Sequence, residues 1–172
     1  MNDPLALLKQ DHEAVKKLLK ALRHTEEGPT RRSLLADLDR SIALHSRLEN
    51  ELEAAAGSGL SEAGARQGEL EHSLLHRSLA NLHELADSPE FCMAVAMLGG
   101  GFKHHVKTIE CEILPQLKSA VGKEGWRSLG DHIAVARSDA RSETEKTVPL
   151  KVVSVPMSKA VSKLPSAKAA SA

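Results

Sequence analysis

The chain has 172 residues, with 23 Lys and Arg against 23 Asp and Glu, so its formal net charge is zero. That argues against a nucleic-acid binder working through net positive charge. Aromatic residues make up 2% with no tyrosine, which disfavours a base-stacking sheet, and no apolar run approaches the roughly 20 residues of a membrane span.

Leu, Ala, Glu, Lys, Arg and Ser dominate the composition, as in helical proteins. Asp3-Pro4 predicts a helix start, with an acid to cap and a proline at the first helical position. Its apolar stripe is Leu5, Leu8, Val15, Leu19 and Leu22, and Glu27-Gly28-Pro29-Thr30 ends it. A second helix is predicted over 31–56, on Leu35, Leu38, Ile42 and Leu52. Gly57-Ser58-Gly59 breaks the chain, and Ser61 caps a third helix that runs to about Ala86. Asp87-Ser88-Pro89 opens a fourth toward Ser119, with Phe91, Val95, Leu98 and Phe102, then Leu114, Leu117 and Val121. After the break at Gly122 to Gly125, a shorter amphipathic piece from Trp126 to about Ala140 packs across one end. The expected fold is all-α: residues 1–141 form an antiparallel up-down-up-down four-helix bundle with a short fifth helix. Residues 142–172 are expected to be a flexible, disordered basic tail, since the stretch from Lys146 holds five lysines, three prolines and no acid. The plain reading of that tail is solubility; the sharper one is a weak contact with an anionic partner.

The stripes carry residues that a core excludes. Steps of three and four put His12 inward on the first helix, His45 and Glu49 on the second, His72 and His76 on the third, and His105 on the fourth. Burying one ionisable group costs several kcal/mol unless it is paired or bound to metal. A single inward histidine is most often a hydrogen-bonded core residue; five with a carboxylate are not explained that way. Beyond His105 a regular stripe turns polar. One inserted residue gives His105, Glu110, Leu114, Leu117 and Val121, so a π-bulge is expected between His105 and Glu110, which brings Glu110 inward. Counted from the shared loops at ~1.5 Å per residue, all seven residues fall within about two turns of one level.

Five imidazoles, two bridging carboxylates and one bridging oxygen nearly fill two six-coordinate metals and leave one position open to a small ligand. Imidazole with carboxylate suits iron, zinc or manganese, and without thiolate an iron–sulfur cluster is disfavoured. In this pattern of His12, His45-x3-Glu49, His72-x3-His76 and His105-x4-Glu110, the chain resembles the hemerythrin family, the HHE cation-binding domain. Asp11-His12-Glu13 and the run from Glu110 to Pro115 add to the likeness, which spans about residues 3–120. The resemblance implies two non-haem iron ions with a bridging oxide or hydroxide. His72, His76 and His105 would bind one iron, His12 and His45 the other, and Glu49 and Glu110 would bridge. Glu110 stands where classical oxygen carriers have Asp. The implied function is binding, storage or sensing of dioxygen or a related small ligand. The alternatives are an enzyme reducing nitric oxide or decomposing hydrogen peroxide at the same site, and an iron or redox sensor.

A ferritin-like carboxylate site would need two Glu-x2-His motifs, and only Glu69 to His72 offers one. A metal-free bundle is the other rival. His83 reads as a core or interfacial residue, His104 as exposed, His24 and His132 as helix-end cations, and Glu51 and Glu53 as a solvated face. Cys92 and Cys111 read as reduced thiols in a cytoplasmic protein, with neither a membrane nor a specific nucleic acid as partner.

Overall fold

The computed structural model describes residues 2–57 and 61–147. Four helices pack against one another in the expected antiparallel order. Helix α1 is Pro4–Leu22, α2 Pro29–Ala56, α3 Glu62–Glu84 and α4 Phe91–Thr108. A π-turn, Ile109–Ile113, continues α4 into α5, Leu114–Thr147.

The helix starts follow local chemistry. The Asp3 carboxylate accepts from Leu5 N–H at 3.0 Å, with Pro4 behind it. Gly28, at φ 128°, turns the chain into Pro29. The Ser61 hydroxyl accepts from Gly64 N–H at 3.1 Å. Gly122, at φ 67° and ψ −176°, breaks α5 into two pieces, because only glycine adopts that backbone without strain. The second piece reaches Thr147, past the end expected near Ala140. The basic stretch beyond it lies outside the described residues.

That second piece clasps the start of α1. Trp126 Nε1–H donates to Asp3 at 3.2 Å, and Arg137 donates to Gln10 at 2.9 Å and pairs with the buried Asp11 at 2.7 Å. Gly130 lies so close that a Cβ there would overlap the Asn2 carbonyl.

The core comes in two parts. One holds Val15, Leu19, Leu38, Ile42, Leu75, Leu98 and Phe102. The other holds Leu8, Leu48, Leu52, Ile109, Ile113 and Leu117, roofed by Trp126 and Ile133. Along α1 the parts meet between Leu8 and Val15, along α2 between Ile42 and Leu48, and at the end of α4 between Val106 and Ile109. His12 and His45 stand at the first two junctions, and His105 lies just before the third. A polar layer therefore divides the interior. Among the described residues no helix is long and apolar enough to cross a membrane.

Candidate metal centre

The layer is dry. His12, His45, Glu49, His72 and His105 are 0–7% exposed. Four of them, His45, Glu49, His72 and His105, each offer a ligand atom, and those atoms lie within 4.8 Å of one another. Glu49 is the hub. Its Oε2 accepts from His72 Nε2 at 2.9 Å and lies 3.2 Å from His105 Nε2. Its Oε1 lies 3.2 Å from His45 Nε2 and 3.6 Å from His12 Nε2. The four helices thus aim four imidazole Nε2 atoms at one carboxylate. The Phe102 ring covers the layer, with its centroid 5.8 to 6.1 Å from the His12, His45 and His105 rings.

Two imidazoles are held from behind. Glu71 Oε2 lies 3.0 Å from His105 Nδ1, and Glu110 Oε1 lies 2.8 Å from His12 Nδ1. A carboxylate on the outer nitrogen fixes the tautomer and presents the inner lone pair, the usual support for a metal-ligating histidine.

Charge follows from burial and contact. Burial pushes His45 down to about 3, and the neighbouring imidazoles add to that against the pull of Glu49. Burial alone would raise Glu49, but His45 and the approach of His105, His12 and His72 outweigh it and hold the carboxyl well below its usual range. Burial likewise opposes ionisation of His105, and the contacts with Glu49 and Glu71 reverse that and raise it. Glu53 is raised, first by burial and then by the Glu49 charge.

The donors fit a cation. His45 Nε2 and His105 Nε2 face each other at 2.9 Å, an arrangement that needs a proton or a metal between the lone pairs. His12 Nε2 and Glu49 Oε1 are buried without a hydrogen bond, and such groups cost free energy unless something satisfies them. Imidazole and carboxylate are the donors that iron, zinc and manganese take.

The structure gathers six of the seven expected residues, in unequal roles. His12, His45, Glu49, His72 and His105 converge. Glu110 stands at the edge, on the outer nitrogen of His12, with its side chain 20% exposed. The reason is the position of the π-turn. It spans Ile109–Ile113 rather than closing between His105 and Glu110, so Ile109, 2% exposed, takes the inward position after His105. His76 stands apart, exposed, with Nε2 3.3 Å from Ser46 Oγ. The inward face of α3 is Gly68, His72, Leu75, Leu79 and Leu82. Leu75 and Leu82 gain more from burial than the neighbouring His76 and His83 would, and the helix turns accordingly. His83 instead pairs with Asp39 of α2 at 2.8 Å, and His104 is exposed.

Two residues escaped the sequence reading. Glu71 neighbours His72 and looks like any exposed-face acid; nothing in the spacing reveals its hold on His105. Glu53 read as solvated, yet it is half-buried, and its Oε1 lies 3.1 Å from where a Gly68 Cβ would stand. A carboxylate one turn beyond Glu49, opposite a helical glycine, was the available signal.

Fold and site together define a four-helix bundle whose buried histidine–carboxylate cluster could hold a metal ion. No family model matches the chain, and no curated protein or solved structure matches it either.

Proposed function

We propose that the chain is a non-haem di-iron protein that binds dioxygen or a related small ligand at one open iron position. The observation that carries this reading is the convergence of four imidazole nitrogens from four helices on the buried Glu49, with His12 Nε2 and Glu49 Oε1 lacking a hydrogen bond. In the seven-residue pattern His76 and Glu110 complete the donor set. When bound, the iron pair supplies a centre that can change oxidation state and accept a small ligand. The chain's own part is to orient His105 through Glu71 and to keep water out with Phe102 and the two apolar cores.

A second reading has its own support. Among the described residues only His45, Glu49, His72 and His105 group tightly, and four donors suffice for one ion. Metal analysis with an absorption spectrum, reduced and then in air, decides between them. The di-iron reading expects about two iron ions per chain, new bands in air, and loss of about half the iron in His76→Ala. One ion per chain, unaffected by His76→Ala, supports the mononuclear site. No uptake of iron by the folded protein overturns the proposal. A stable complex in air favours a carrier or sensor, whereas rapid turnover of peroxide or nitric oxide favours an enzyme.

A further inference from the structure

Charge is segregated on this bundle. Residues 1–145 carry 18 basic and 23 acidic groups, yet cations gather on one seam. Between α1 and α4 runs an open groove of about 670 Å³, its rim formed by Lys16, Lys20, Arg23 and Lys103, with no carboxylate in its lining. At Lys103 it adjoins a cavity of about 480 Å³ lined by Lys103, Lys107, Cys111 and Glu110. Lys9 Nζ stands over that end, 3.5 Å from Glu110 Oε2. Along the seam Glu13 pairs with Lys16 at 2.8 Å, and Glu110 stands at its end.

The seam ends where the site is least covered. Of the six gathered residues Glu110 is the most exposed, and its Oε1 touches His12. Cations that outnumber the acids along a groove leading to the most exposed residue of the site concentrate anions there and speed their arrival. We propose that the α1/α4 seam is an electrostatic lead-in that makes small inorganic anions the favoured entrants to the metal site, beside neutral diatomic ligands that its field does not steer. This inference rests on the metal reading above.

The test has one arm that needs no metal. Cys111 is exposed and lines the cavity at Glu110. In a Cys92→Ser background it is the only thiol. Its reaction is followed with dithiobis(nitrobenzoate), a dianion, and with dithiodipyridine, which is neutral; each forms one mixed disulfide and releases one coloured thiol. Taking the ratio of the two rates cancels any change in thiol ionisation. Lys103→Glu with Lys107→Glu is expected to lower that ratio about tenfold at low salt, the Gln pair to lower it less, and high salt to erase the difference. In the iron-loaded protein the same pairs are expected to slow azide binding but not nitric oxide binding. A ratio that ignores both substitutions, or azide rates that do not follow it, overturns the proposal. Failure to take up iron appears separately in the metal content and overturns the metal reading beneath it.

Discussion

The metal-free protein is expected to lose stability as the pH falls from 7 to 5, and His45 should be the main cause. In the folded chain His45 is held down to about 3, chiefly by burial, whereas in the unfolded chain it titrates near 6.5. Between those values the unfolded state binds a proton that the folded state refuses, so stability drops as pH drops. Integrating from pH 7 to pH 5 gives a loss of about 2 kcal/mol, with a limiting slope of about 1.4 kcal/mol per pH unit. That is a sizeable part of the roughly 5–15 kcal/mol by which domains are stable. Three neighbours act elsewhere or oppositely. Glu49 is lowered and adds its own loss only below about 4.5, whereas His105 and Glu53 are raised and partly offset the slope as they take up their protons. The clean measurement is therefore a difference. Urea unfolding, followed by helical circular dichroism at several pH values, is compared between the wild type and His45→Gln, which removes the titrating group. The variant should show a slope about 1.4 kcal/mol per pH unit shallower near pH 5, whatever its stability at pH 7. Equal slopes would refute the argument and mean that water or a neighbouring carboxylate lets His45 charge in place.

Three further outcomes follow from packing and contact. Glu71→Ala should weaken metal binding about 10- to 100-fold, with Glu71→Gln recovering part of it, as judged by competition with a chelator. Gly99→Ala and Gly100→Ala should each stabilise the protein by about 1 kcal/mol in urea unfolding, since both positions are helical and nothing lies within 4 Å of the new methyl. Gly130→Ala should cost about 1–3 kcal/mol, because its Cβ would strike the Asn2 backbone, and limited proteolysis should then cut near residue 2 sooner.

The bundle was legible because its signals are local and repeated: a cap or proline at each start, glycine at each break, and apolar steps of three and four. His12, His45, Glu49, His72 and His105 were legible for the same reason, as polar residues on stripes that otherwise bury leucine. The third helix was misread at one step. Leu75 and His76 both fit the spacing, and only packing across the bundle, where Leu75 joins Leu98 and Phe102 of α4 in one core cluster, decides which turns inward. The slip in the fourth helix was legible from Leu114 and Leu117, but its position was not. Ile109 could stay inward only if the extra residue came after it. Glu71 lay beyond reach, since its partner is 34 residues away along the chain.

The same π-turn is where the chain absorbs one extra residue. An uninterrupted α-helix of the same length through Ile109–Ile113 would rotate everything downstream by roughly 100° relative to His105. Leu114 and Leu117 would swing out of the core, and the helix that clasps α1 would lose its seat. Deleting one residue there, with the turn closing to ordinary helix, keeps both leucines inward. A family descended from such a chain could therefore lose one residue in this stretch at little cost to the core, whereas straightening the turn without shortening it would unseat everything beyond.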